Sequence, residues 1–123
     1  MNIRRVAGTT WKGQRARQTD REFVQFECLE WGIRAAICLL RIYKRKYHLN
    51  CITEIITRWS PPSENETGQY IRNVCQWTGL AGRQQLTEAE WPALIKAMAR
   101  QETGIQLDDK TIDDSFFLYK LTK

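Results

Sequence analysis

Glu102 sits in "AMARQETG", in the last turn of a helix that Gly104 lets the chain reverse out of. A carboxylate at that end opposes the helix dipole, which favours cations there, so its placement invites a functional explanation. It follows Met98 by four residues, on the edge of an apolar stripe. A carboxylic acid kept partly protonated by an apolar cleft is what the general acid of glycoside cleavage must be. The plain alternative is a surface glutamate, because surface acids greatly outnumber catalytic ones. On that reading Glu102→Gln stabilises the protein slightly, by removing an acid from the negative end of the dipole.

A second concentration of polar groups lies in "RWSPPSENETGQY", residues 58 to 70. Pro61 and Pro62 stop the preceding helix, and Glu64, Asn65, Glu66, Thr67 and Tyr70 then crowd into the start of the next. Asn65 and Thr67 are favoured helix caps, and Trp59 is well placed to anchor the core as its helix ends. Glu64 or Glu66 is the candidate for a second carboxylate, since most glycosidases use two, although substrate-assisted ones do not.

The elements that must position these groups are mostly helical. Residues 1 to 26 lack helical periodicity and contain Gly8, Gly13 and "EFVQF", which predicts loop with at most a small strand or hairpin. From Leu29 to Tyr47 the residues Leu29, Ile33, Ala36, Ile37, Leu40 and Tyr43 recur at three and four, predicting a helix that forms the central wall of the core. A second helix is expected from Ile52 to Trp59, ended by Pro61. A third opens near Asn65 to Thr67 and carries Tyr70, Ile71, Val74 and Cys75 on one face. "TEAEW" pairs Thr87 with Glu90 as a capping box and puts Pro92 in the first turn of a fourth helix, whose inner face is Trp91, Leu94, Ile95 and Met98. Thr111 and Asp114 stand in the same capping relation, which predicts a short last helix.

At 123 residues, 42% hydrophobic and 27% charged, with five Trp, the chain is expected to be one mainly α-helical domain over residues 1 to 123. The longest uncharged apolar run, "AAICLL", falls far short of a membrane span. The basic N-terminus has no apolar stretch behind it, so it does not read as a signal peptide and synthesis in the cytoplasm is expected. The four cysteines lack the close pairing of zinc sites, and His48 is the only histidine, so no metal or cofactor is expected. Cys38 and Cys75 fall on apolar helical faces and are read as core thiols; a Cys–His nucleophilic pair with His48 has no supporting motif.

Charge divides the chain. Residues 1 to 48 hold 11 Lys and Arg against 4 acids, whereas residues 49 to 123 hold 8 against 10. A basic half containing "RIYKRKYH" would be drawn to a polyanion, either nucleic acid or an anionic cell-wall polymer. Its plain alternative is a solvated basic face.

The segments "NIRRVAGTTWKG", "FVQFECLEWGIRAAICLLRIY" and "IITRWSPPSENETGQYIRNV" resemble a family of small phage and prophage proteins labelled virion or structural proteins. The likeness runs over about residues 2 to 104, and Arg-Trp-x-Pro-Pro-x-x-Asn-x-Thr is its most specific element. It implies virion proteins as partners. More distantly, the order of an Asn-Ile segment, Trp-Lys-Gly, an aromatic pair before a long helix and an Asn- and Thr-bearing turn is similar to the later part of flagellar-type glucosaminidases and other lysozyme-like domains. There the catalytic glutamate comes earlier, in a context similar to "RQETG". Joining Lys123 to Met1 would restore that order, so the resemblance implies a circularly permuted lysozyme-like fold.

What this implies about function is a protein of phage type acting on peptidoglycan glycan strands, as a glycoside hydrolase or lytic transglycosylase, with Glu102 as general acid. The Pro-Pro turn would wall a glycan cleft facing Glu102. Asn65, Thr67 and Tyr70 would bond to sugar groups, with Glu64 beside them, and Trp11 and Trp59 would offer flat faces to sugar rings. Such a protein would be virion-associated or delivered to the periplasm. Two other classes stand against it: a non-catalytic virion or wall-binding module, and a basic nucleic-acid-binding protein whose cations gather on one surface.

Overall fold

The computed structural model describes residues 1–63 and 66–123. It is mainly helical: α1 (Leu29–Tyr47), α2 (Ile52–Trp59), α3 (Thr67–Thr78), α4 (Trp91–Thr103) and α5 (Asp109–Thr122), with a 3-10 turn at Glu88–Glu90 leading into α4. Among the described residues none of these helices is long and apolar enough to cross a membrane.

The N-terminal segment is held by two isolated antiparallel bridges, Arg4 with Phe23 and Gln14 with Phe26, and forms no continuous strand. Its hold on the helices is hydrophobic. Ile3 is 1% exposed, Val24 is buried beside it, and the Val24 amide donates to the Ile3 carbonyl at 2.8 Å. Burying such a side chain stabilises by about 1.5–3 kcal/mol, enough to fix a segment that has little secondary structure of its own. Gly13 is required where it stands. Its φ is +78°, and a Cβ there would meet the Trp31 ring at 2.1 Å.

The helical periods decide what faces inward. α1 buries Ile33, Ala36, Ile37, Leu40 and Tyr43, while Leu29, at the helix start with no turn packed over it, is 40% exposed. α2 buries Ile52, Ile55, Ile56 and Trp59, and α4 buries Trp91, Leu94, Ile95 and Met98. All join one apolar cluster. α1 shares the centre with α4: α5 packs along α1, whereas α4 touches α1, α3 and α5.

The capping box of Thr87 and Glu90 forms as its spacing requires. The last helix begins earlier and runs longer than the Thr111–Asp114 relation suggests. Asp108 is its cap, accepting from the Thr111 amide at 2.8 Å, and Asp114 instead pairs with Lys110 one turn back, at 2.6 Å. An Asp three residues ahead of an amide satisfies a free helix-end donor, which leaves Thr111 inside the first turn. Of the thiols, Cys51 is fully buried, Cys38 and Cys75 are half-buried and Cys28 is exposed. Burial pushes the Cys38 and Cys75 thiols up, so they stay protonated and act as small hydrophobes.

Candidate functional site

Glu102 is where four parts of the chain meet. Its Oε1 accepts from the Asn2 backbone amide at 2.5 Å. Its Oε2 accepts from the Tyr70 hydroxyl at 2.6 Å and from Trp59 Nε1 at 3.2 Å. The N-terminal segment, the end of α2, the first turn of α3 and the last turn of α4 are thereby tied to one carboxylate. The acid that opposes its own helix dipole is compensated by three donors from elsewhere, which no local signal reveals.

The local reasons each group arrives there are simple. Pro61 ends α2, leaving Trp59 at the tip of the helix with its apolar body in the core and its N–H at the rim. Thr67 is 5% exposed, and its hydroxyl donates to the Ser60 carbonyl, closing the Pro-Pro turn. Tyr70, one turn further along α3, is 6% exposed, and burial followed by the Glu102 charge pushes its hydroxyl well above its usual pKa. Tyr70 therefore remains a donor throughout the working pH range.

Asn2, Arg4, Phe23, Trp59, Ser60, Tyr70 and Glu102 line a cavity of about 40 Å³. A space of that size takes a few water molecules, each needing roughly 10–15 Å³ by this measure, and is far too small for a sugar ring.

The residues anticipated as a glycan site are thus only partly gathered. Glu102, Trp59 and Tyr70 meet. Thr67 is near them, but its hydroxyl is spent on the backbone of the turn and is not offered to a ligand or to a helix cap. Trp11 is not among them. It packs half-buried against the core, its amide bonded to Gln14 Oε1 at 3.0 Å, because the bridge of Gln14 with Phe26 carries that loop away from the Glu102 cavity. Glu64 and Asn65 fall outside the described residues. Asn2, which the sequence reading missed, contributes through its main chain, so its side-chain type carried no signal. Among the described residues no three His, Cys, Asp or Glu converge on a point where a metal ion could sit.

Fold and site define a helical protein with a basic first helix and an internally bonded acid at the end of α4. Among known proteins, the chain is similar to a phage protein. Over 97 residues, 79% of its length, it is 40% identical to Protein P5 of Pseudoalteromonas phage PM2. The match spans 61% of that protein's own length. No protein-family model matches the chain.

Proposed function

We propose that the protein is a virion-related component of a phage or prophage, in which Glu102 is a latch that holds the fold together and has no catalytic task. The likeness to a phage protein supports the setting. The observation that carries the role of Glu102 is that both its oxygens are bonded within the fold: Oε1 accepts from Asn2, and Oε2 from Trp59 and Tyr70. A general acid must carry a proton to a leaving-group oxygen within hydrogen-bond reach, whereas here three of the protein's own donors converge on the carboxylate and favour its charged form.

The rival reading, a lysozyme-like enzyme acting on peptidoglycan, draws on one feature. Glu102, Tyr70, Trp59 and Ser60 of the Pro-Pro turn border the same cavity, the neighbourhood that such a cleft requires. One experiment separates the two. Soluble fragments released from purified sacculi are measured for the wild type and Glu102→Gln, beside their thermal midpoints, and particles induced from the host are searched for the chain by mass spectrometry. A latch predicts no release by either protein, a lower midpoint for the Gln variant and presence in particles. Release by the wild type that falls at least about 100-fold in the variant would make Glu102 the general acid. Retention on sacculi without release would instead make it a wall-binding module.

A further inference from the structure

The seam between α1 and the end of α5 is the opposite of the Glu102 corner in its chemistry. Arg34, Arg41, Arg45, Lys46 and Lys123 line an open groove of about 670 Å³, together with Cys38, Ile42 and Tyr119. Among the described residues no Asp or Glu side chain lines it. The described ion pairs involve Arg4, Lys96 and Lys110, so none of these five cations is paired with an acid. The acids nearest in the fold, Glu88, Asp113 and Asp114, border a neighbouring hollow that shares Arg41, Tyr119 and Lys123 with the groove.

Two of the cations are held in place by neutral partners. Arg34 donates from Nε to Thr122 Oγ1 at 2.8 Å and from Nη2 to the Thr122 carbonyl at 3.0 Å. Arg41 Nη1 donates to the Tyr119 hydroxyl at 2.5 Å. Lys12 reaches the same end of α5, donating to the Thr122 carbonyl at 2.9 Å. Such bonds orient the cations without neutralising them, which lowers the ordering cost when an anion arrives.

We infer that this groove binds the phosphodiester backbone of single-stranded nucleic acid. Arg34 is only 6% exposed, and the accessible cations Arg41, Arg45 and Lys46 span about 7.5 Å along α1, at 1.5 Å per residue, with Lys123 at the end of α5 beside them, more than a single phosphate can meet at once and suited to a polymer. Three of the groove's five cations are arginines, whose planar guanidinium matches phosphate. The groove is shallow and its lining between the cations is apolar, with Ile42 43% exposed, which suits sugars and unstacked bases better than the phosphate-covered exterior of a duplex. The reading does not depend on whether the protein resides in a particle.

The test is fluorescence anisotropy with a labelled oligodeoxythymidylate of about 20 nucleotides over a salt series starting near 50 mM, where electrostatic binding is strong. Phosphate contacts by the four accessible cations, Arg41, Arg45, Lys46 and Lys123, predict a slope of log K against log salt of about −2.8, at roughly −0.7 per contact. Arg45→Glu with Lys46→Glu, both exposed, should weaken binding at least about 10-fold. Arg17→Glu with Arg21→Glu makes the same change in net charge on the exposed N-terminal segment and should cost less than about 3-fold. Circular dichroism and thermal midpoints establish that both variants fold. Equal losses in the two variants, or no binding at the lowest salt, would overturn the proposal. So would tighter binding to a duplex, equal displacement by polyglutamate, or a preference for phosphatidylglycerol vesicles over the oligonucleotide.

Discussion

The corner around Glu102 and the seam between α1 and α5 each gather polar side chains from distant parts of the chain, and they use them differently. At the corner one carboxylate meets three donors, and the remaining space holds little more than water. Along the seam Arg34, buried, and Arg41 meet hydroxyls and a carbonyl and keep their charge, while Arg45, Lys46 and Lys123 stand exposed along an open groove. A polar group whose bonds are completed within the fold contributes to stability and has little left to offer a partner. One that is oriented but not neutralised contributes little to stability and is ready for an anion. The first region should therefore respond to mutation in thermal midpoint and the second in binding.

The comparison breaks most readily at the corner. Glu102→Ala should strand the Trp59 N–H, the Tyr70 hydroxyl and the Asn2 amide, costing about 2–4 kcal/mol in urea unfolding, since bonds to a charged acceptor contribute about 1.5–3 kcal/mol each and water will recover part of the loss. A cost below about 0.5 kcal/mol would return Glu102 to the status of a surface acid. Glu102→Gln retains one acceptor but turns an amide toward a donor, so it should be destabilising by about 1 kcal/mol or more. That direction is opposite to the slight gain expected of a surface acid at a helix C-terminus.

Gly13→Ala forces a Cβ into Trp31 in a backbone conformation that alanine resists, and should cost about 2 kcal/mol or more. Because Lys12 beside it reaches the end of α5, the same variant should also weaken anion binding at the seam, so one substitution reads both regions.

Tyr70→Phe keeps the ring and removes one of the three donors, so it should cost about 1–2 kcal/mol, less than loss of the acid itself. The smallest expected effect is at the seam, where Arg45→Gln with Lys46→Gln should leave the unfolding free energy within about 0.5 kcal/mol while weakening oligonucleotide binding. A large loss of stability there would mean that these cations serve the fold.

A pH series sharpens the same contrast through α5, which ends at the seam. Asp108 caps that helix, and its bonds to the Thr111 hydroxyl and amide hold its carboxyl below the usual 3.8. A folded-state pKa below the unfolded one gives stability that is present above 3.8 and is lost as pH falls through the lower folded value. The difference in thermal midpoint between the wild type and Asp108→Ala should therefore be largest near neutrality and shrink in acid. An unchanged difference at low pH would show that the carboxylate charge is not what caps the helix.

Much of this was legible in order along the chain. The apolar spacing of α1, α2 and α4, the Thr87–Glu90 box, Pro61 and Gly104 are local devices, and local devices act the same wherever the element is later placed. The longer α5 was less clear, since Asp108 and Thr111 both offer capping chemistry and only the backbone's choice of start separates them. The unusual position of Glu102 could also be seen in the sequence, as an acid at the wrong end of a helix. Its partners could not. Asn2 lies 100 residues away and binds through a main-chain amide that every non-proline residue possesses, so residue type is silent about it. The basic excess of the first 48 residues was likewise plain from composition, but not its distribution. The packing of α5 against α1 sets Arg34, Arg41, Arg45 and Lys46 beside Lys123 and Tyr119, because burying Ile112, Ser115 and Tyr119 fixes which edge of α5 lies along α1. Sequence determined which helices form and how much charge they carry; tertiary packing alone decided that the acid would be bonded by three distant donors and that Arg41, Arg45, Lys46 and Lys123 would be left along one groove without an acid partner.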